Sequence, residues 1–554
     1  MPKKITQNVN KDKVLNDLPK VNPQKSTWLN RHTNYQSCNM GQIVPIYYQE
    51  ILPDEEKEIT MGMISHTTTP IAPIFPSMYT EIRVFFVPTR LCADLLNGYK
   101  TRKSPWVKVF GEDNKSSSSD VIVPLDEQAL PGFKADDQFI EDIVSYFNNV
   151  DSYDHVFDSL DISESSSDGS GLKDFNFLPL AAYELIYQRH YRNENFESST
   201  SSKLYQLLFD AYNSEKASVE LPSSFTFEIA NREKDYFTGA KPYTLKASSP
   251  VMIGVGSEAP VEFHSNADLG QLASNVTVIE DGGRTIPSDA FKVGTKTGKL
   301  VADLSSATGI SVEELRLLVK TQELLEKDAI YGSRYAESLN AHFGCCPLDT
   351  TLQDPQELHK VTITSHMQAI FQTSSTSGEA SILGTIGANS TTQTDPFVIL
   401  PKTKFKEHGI LMICAVHKLQ NVYDSNYFKP RFNFKRERFD FYTPELDDLG
   451  YQSVKSQEAL ALSSRGFNEA FAEYRYVFNK SHGSLNISFK YWAPSIANEY
   501  SSLAVLYKED SDIIDKALSV KSSTAPQFYD AWGFEEKNTK PMKLHSIPGF
   551  DGVI

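Results

Sequence analysis

GQIVPIYYQEILPDEEKEITMGMISHTTTPIAPIFPSMYTEIRVFFVP, residues 41–88, carries the strongest fold signal in the chain. It holds three β-like runs, QIVPIYYQEIL, KEITMGMIS and MYTEIRVFFVP, separated by LPDEE and by the proline-rich TTTPIAPIFPS. Ile59, Met61 and Met63 fall on alternate positions, as do Ile82, Val84 and Phe86, which gives each strand one apolar face. Strands this close together, with no room for a crossover helix, predict an antiparallel sandwich rather than βαβ units.

Further runs lie far downstream at VTITSHMQAIF (361–371), HGILMICAVHKL (408–419) and SLNISFKYW (484–492), the last with Leu485, Ile487 and Phe489 in alternation. One sheet system is therefore expected to be split by long insertions. Two helices are predicted inside them. PLAAYELIYQRHYR (179–192) spaces Leu180, Tyr183, Tyr187 and Tyr191 along one side. SVEELRLLVKTQELLEKDA (311–329) opens on a Ser311–Glu314 capping box and sets Leu315, Leu318 and Leu325 on one face.

Two insertions read as surface features. Residues 112–170 hold SSSSD and SESSSDGSG, whose Ser, Asp and Gly favour turns over packing. Residues 244–310 contain VMIGVGSEAP, VIEDGGRTIP and KVGTKTGKLV, short strands joined by glycine turns, and are expected to form a small β excursion of their own.

The 554 residues, with 40% hydrophobic and 23% charged content and 33 Phe and 26 Tyr, describe a globular chain with a large core. No run approaches about 18 apolar residues, and MPKKITQNVNKDK at the N-terminus has no apolar stretch behind it, so neither a membrane span nor a secretory leader is expected. Cys38, Cys92, Cys345, Cys346 and Cys414 are too scattered for a disulfide framework or a zinc motif and predict buried, reduced thiols. The adjacent pair in FGCCP reads as a packed turn.

Net charge is −17, unevenly spread. From Glu112 to Asp168 fifteen acidic residues face two lysines, a local −13. Residues 1–31 carry Lys3, Lys4, Lys11, Lys13, Lys20, Lys25 and Arg31 against Asp12 and Asp17, or +5. A basic arm, taken as residues 1–40, on an acidic body fits either one end meeting a polyanion or a solubilising tail.

Motifs for catalysis are missing: the chain has no HExxH, GxSxG, GxxxxGK[ST] or complete GxGxxG, since GVGSEA (254–259) fails at its last position. The twelve histidines fall outside metal-ligand spacing, His359 and His366 included. Binding is suggested instead by YDSNYFKPRFNFKRERFDFY (423–442), which interleaves Lys429, Arg431, Lys435, Arg436 and Arg438 with Tyr427, Phe428, Phe432, Phe434, Phe439 and Phe441. Bases stack on aromatic faces while cations neutralise phosphates, so the mixture suits single-stranded nucleic acid. It equally suits a subunit interface, where Arg and aromatics are enriched.

GQIVPIYYQEILPDEE with TPIAPIFPSMYTEIRVFFVPTRL resembles the N-terminal signature of major capsid proteins of microviruses, the small single-stranded DNA phages, and especially of their gokushovirus branch. The likeness continues through REKDYFTGAKP (232–242), LLEKDAIYGSRYAESLNAHFGCCPLDTTLQDPQEL (324–358), EHGILMICAVHK (407–418), RFDFYTPELDDLG (438–450), AFAEYRYVFNKSHG (470–483) and PMKLHSIPGFDG (541–552). The resemblance implies a mainly β chain: a single eight-stranded antiparallel jelly-roll barrel over 41–554, with long loop insertions containing several helices. It implies no enzymatic activity and no cofactor. Implied partners are other copies, as pentamers of a sixty-copy T=1 icosahedral shell, the circular single-stranded DNA genome, internal scaffolding and DNA pilot proteins, and a host surface receptor. The implied location is the virion, assembled in the bacterial cytoplasm, with 244–310 as the insertion that protrudes at the threefold axes. The acidic 112–170 segment is longer than the family pattern. Two other readings are a carbohydrate-active β-sandwich enzyme, which would need two carboxylates facing across a cleft, and a free single-stranded DNA-binding protein using 423–442.

Overall fold

Burial alternates residue by residue along Glu56–Thr67, with Lys57, Ile59, Met61, Met63 and Ser65 turned inward, so this strand has one face in a core and one outside. It belongs to a computed structural model that describes residues 24–89, 91–92, 115–116, 119–122, 156–161, 178–197, 226–245, 261–265, 291–293, 296–302, 312–331, 335–344, 354–365, 367–371 and 386–545. The main elements, in chain order, are β1 (Ser26–Cys38), β2 (Val44–Ile51), β3 (Glu56–Thr67), β4 (Met78–Pro88), α1 (Leu178–Ile186), β5 (Val261–Ser265), β6 (Phe291–Val293) and β7 (Lys296–Ala302). They continue with α2 (Val312–Tyr331), α3 (Tyr335–Phe343), β8 (Gln356–Ser365), β9 (Met367–Phe371), β10 (Ile386–Gln393), β11 (Phe397–Lys404), β12 (Gly409–Leu419) and β13 (Phe528–Lys540).

The protein is mainly β, with antiparallel sheets. One sheet of six strands runs β1–β13–β3, with β10 and β11 sharing the far edge of β3 and β9 beyond β10. The other, of four strands, runs β8–β4–β12–β2. Their inner faces share one hydrophobic core that holds Ile59, Met61, Trp532 and Phe534 from the first sheet and Ile82, Val84, Ile413 and Ala415 from the second. Gly41 makes the turn from β1 into β2 at φ +83°, where a Cβ would stand 2.7 Å from Glu509 Cβ, so only glycine fits both the backbone and the space.

Every residue of β12 is buried, because the outer face of its sheet is covered as well. The cover is α1, whose Leu180, Ala181, Tyr183 and Ile186 are buried and whose Tyr183 hydroxyl donates to the Ile43 carbonyl at 2.9 Å. A strand buried on both faces reads as a continuous apolar run, as GILMICAVHKL does. The helix predicted over 179–192 is present, but from Tyr187 to Tyr191 it widens into a π turn; all four of its spaced side chains are buried.

The chain divides into two compact units, Met1–Pro242 with Pro347–Ile554, and Tyr243–Cys346. The second holds a three-stranded antiparallel sheet, β5–β7–β6, and the helices α2 and α3, joined by His342 and Asp328 at 2.9 Å. The KVGTKTGKLV hairpin is there as β6 and β7, with Val293 opposite Lys296. VMIGVG (251–256), VIEDGG (278–283), Ser311, Cys345 and Cys346 lie outside the described residues, as does most of 112–170. In α2, Leu318 and Leu325 are half-buried while Leu315 is exposed, so the expected apolar face is only partly covered within this chain.

Two expectations need correction. Residues 484–492 are not a strand: the Ser484 carbonyl accepts from the N–H groups of Ile487, Ser488 and Phe489, which curls the segment, and the buried Asn486 anchors it to Asp424 at 2.7 Å. Ile487 is consequently 73% exposed. The stretch read as the arm also contains β1, which pairs with β13 over its whole length, so Ser26–Cys38 is sheet. Cys38, Cys92 and Cys414 are buried thiols as expected, and burial pushes the thiols of Cys92 and Cys414 far up.

Candidate nucleic-acid and subunit contact surface

The segment 423–442 leaves the sheet system through Tyr423 and Asp424, which bridge in parallel to Lys480 and Ser481. Tyr423 donates its hydroxyl to Asp235 Oδ2 at 2.7 Å. Phe428 packs edge-on against Phe237 at 5.0 Å, and Phe478 packs edge-on against the same ring at 4.7 Å. The start of the segment is thus core, and Phe428 is not available for stacking.

From Pro430 the chain makes two short 3-10 turns, Arg431–Asn433 and Arg438–Asp440. Short turns put successive side chains on different sides, which splits the cations. Arg431 is buried and faces Glu458 at 3.7 Å, Glu473 at 3.7 Å and Asp440 at 3.9 Å, and it donates to the Ser453 carbonyl at 3.0 Å. As a binding residue it must be corrected: its charge is spent inside the chain on carboxylates that need it. Burial pushes the Glu458 carboxyl above the ordinary range, as expected of an acid with little water around it.

Arg436 is half-buried. Its guanidinium stacks over Phe441 at 5.5 Å and Tyr474 at 5.4 Å and pairs with Glu473 at 3.4 Å. Lys429 is half-buried, with its backbone N–H held by the Glu458 carbonyl at 2.8 Å. Lys435 and Arg438 are exposed. Beside them Phe434 is half-buried, Phe432 is 59% exposed under the Lys480 ammonium at 5.8 Å, and Phe439 is 73% exposed. Asp440 caps its own turn by accepting from the Glu437 N–H at 3.0 Å; that bond and the Lys455 ammonium hold its carboxyl below the usual range.

Residues the sequence reading did not connect to this segment complete the surface: Glu473, Tyr474, Lys455 and Lys480 come from later loops, and Tyr476, Val477 and Ile487 are exposed in the same stretch of chain. Sequence distance hid them, because irregular loops carry no period. Lys3, Lys4, Lys11 and Lys13 lie outside the described residues. What remains is an aromatic surface with two exposed cations, embedded in ion pairs. It stacks and excludes water well, and holds less free positive charge than the five cations of the sequence suggest.

An antiparallel β sandwich with apolar loops turned outward is the build of a protein that works by associating with other macromolecules. The family model described as "Capsid protein (F protein)" matches residues 18–550, and the chain belongs to that family. It is similar to capsid protein VP1 of Spiroplasma virus 4, 29% identical with 94% of each chain covered. It is also similar to capsid protein VP1 of Bdellovibrio phage phiMH2K, at 26% identity over 97% of each, and of Chlamydia phage 1, at 24% over 96% of this chain and 97% of the relative. Its role is that of a microvirus major capsid protein, a structural role, and the resemblance found in the sequence holds. Among the described residues no helix is long and apolar enough to cross a membrane.

Proposed function

We propose that copies of this chain close a T=1 icosahedral shell around a circular single-stranded DNA genome, with an eight-stranded jelly roll as the wall of each subunit. The end-to-end family match carries this reading. The strand order supports the jelly roll: counting β1, β2, β3, β4, β8, β11, β12 and β13 as one to eight, the sheets run 1-8-3-6 and 2-7-4-5. That order is two Greek keys rolled together.

In this reading the basic residues before Ser26 face the DNA, and Lys3, Lys4, Lys11 and Lys13 neutralise phosphates. The insertion 244–310, which falls in the unit Tyr243–Cys346, is the protrusion at the threefold axes and meets the host receptor. The exposed aromatics of 432–442 meet a neighbouring subunit, and Lys435 and Arg438 at their margin are placed to reach DNA; burial of Arg431 and pairing of Arg436 favour the subunit contact. Internal scaffolding and pilot proteins join during assembly in the host cytoplasm. Electron microscopy of the purified protein and of host-derived particles tests the proposal. Closed, uniform T=1 shells containing DNA are expected; monomers, or shells of another lattice, would overturn it.

A further inference from the structure

Between the two sheets, away from the loops just described, three side chains with metal-ligating atoms converge. Cys38 ends β1, His417 lies near the end of β12, and Asp530 lies near the start of β13; all three are buried. His417 Nε2 stands 2.8 Å from Asp530 Oδ2, Cys38 Sγ stands 3.7 Å from the same oxygen, and the three donor atoms lie within 4.8 Å of one another. The β1–β13 register brings two of them together: Gln36 is opposite Asp530 and Cys38 opposite Phe528, so all four share one face of the sheet. His417 comes from the facing sheet.

The imidazole is clamped. Its Nδ1 lies 2.9 Å from Thr80 Oγ1, and its ring is stacked 4.1 Å from Phe528 at 3°. Only Nε2 is left to face the cysteine and the aspartate, which is the arrangement of a metal-bound histidine held from behind by an outer hydrogen bond. A second observation points to something missing from the set. Asp530 is 5% exposed, and its other carboxylate oxygen, Oδ1, is buried without a hydrogen-bond partner. Buried carboxylate oxygens are normally satisfied.

We propose that Cys38, His417 and Asp530 bind a divalent, borderline-soft transition metal, zinc(II) in the cell. Thiolate, imidazole and carboxylate are its preferred donors, and a thiolate plus a carboxylate cancel its double charge, so the filled site is neutral in a place where net charge is costly. Tetrahedral bonds of ordinary length put S and O about 3.6 Å apart and N and O about 3.3 Å apart. The first matches the 3.7 Å present, and the second requires His417 and Asp530 to open from 2.8 Å by about half an ångström. The three residues leave the fourth corner to a water, which can donate to the otherwise unpaired Asp530 Oδ1. On binding, the S–H bond of Cys38 breaks and a sulfur–zinc bond forms; with a neutral imidazole one proton leaves to solvent, and the ring proton sits on Nδ1 facing Thr80. The ion ties β1 and β13 of one sheet to β12 of the other, and it loads as the sandwich folds.

Full-length protein refolded or expressed with zinc, then freed of loose metal, is assayed by mass-spectrometric metal analysis and by cobalt(II) titration. The expected results are about one zinc per chain and a thiolate-to-cobalt charge-transfer band. Cys38→Ser abolishes both, while Cys92→Ser and Cys414→Ser keep them. Thr80→Val, which preserves shape, weakens affinity about 10–100-fold. Wild-type protein without stoichiometric zinc and without the band overturns the proposal whatever the variants do. So does a band that survives Cys38→Ser, which marks an adventitious ion only.

Discussion

The ammonium of Lys57 stands 3.0 Å from the Glu536 carboxylate, and both side chains are buried. The two are diagonal neighbours on one face of the β3–β13 pair, Lys57 opposite Asn538 and Glu536 opposite Ile59, and Lys57 also touches the Tyr47 hydroxyl and Gln49. Burial, which favours the neutral amine, outweighs the attraction of Glu536 and lowers the Lys57 pKa. Glu536 itself is also desolvated, yet Lys57 and Asn538 hold its carboxyl below the ordinary range. The pair is therefore mutually dependent rather than strongly stabilising. Lys57→Met should cost about 3–5 kcal/mol by leaving Glu536 buried and uncompensated, and adding Glu536→Leu should restore most of it. Denaturant midpoints of the three proteins check this; a double variant no better than the single one contradicts it.

A second carboxylate gives the acid limb of stability. Glu81 is buried, which alone would raise its pKa, but Lys418 at 3.4 Å, Arg83 at 2.5 Å and Lys360 at 3.2 Å bring it below the ordinary value. An acid with a depressed folded pKa stabilises above its unfolded value, about 4.3, and loses that contribution as pH falls through the folded value. Glu81→Gln should therefore cost about 1.5–3 kcal/mol at pH 7, with the difference closing below about pH 4. Equal penalties at neutral and acid pH would rule out the charge as the cause.

The same polar interior explains what the sequence displayed and what it hid. β3 and β4 were legible because their inward residues are mostly apolar and alternate, and β2 and β12 because they carry apolar runs. β13 was not: its inward face is Phe528, Asp530, Trp532, Phe534, Glu536 and Asn538, and half of these are polar. They are tolerated because Lys57 and His417 meet Glu536 and Asp530 from other strands, which no local pattern announces. β1 is mostly exposed and is a strand only through its pairing with β13. The error at 484–492 has the opposite origin, an apolar alternation overridden by backbone bonds to Ser484. In the contact surface the aromatic and cationic content was legible, but the carboxylates that bury Arg431 and pair Arg436 come from residues 440–473.

That division of cations is testable. Arg431→Ala should destabilise the chain by about 3–5 kcal/mol, since Glu458 and Glu473 lose a buried counter-charge. Lys435→Ala with Arg438→Ala should leave the folded chain unchanged. If either touches phosphate, each lost contact lowers the salt slope of DNA retention by about one. Unchanged DNA retention with weakened shells assigns both residues to the subunit contact.

For the arm, β1 starts at Ser26, so removing residues 1–20 spares the β1–β13 pairing. The truncated protein should still form shells, with a lower ratio of full to empty particles. An unchanged ratio, read by sedimentation, contradicts a DNA-facing arm.

The last prediction is that intact particles are cut by protease within 243–346 before they are cut in 429–442. The unit Tyr243–Cys346 is compact in its own right, and among the described residues its sheet has three short strands. Such a sheet buries little, and α2 leaves Leu315, Leu317, Val319 and Leu324 exposed. Apolar side chains left exposed on a helix call for cover, and symmetry-related copies meeting at a threefold axis would give it while leaving the connecting loops outside. Loops carried outward on a scaffold are also where recognition concentrates. Trypsin has Lys292, Lys296 and Lys299 to attack in β6 and β7, against Lys435 and Arg438 in the contact surface. Mass spectrometry of early fragments separates the two sets. First cuts at Lys435 or Arg438, or a density map with 243–346 facing the genome, would show that this unit is not the external protrusion.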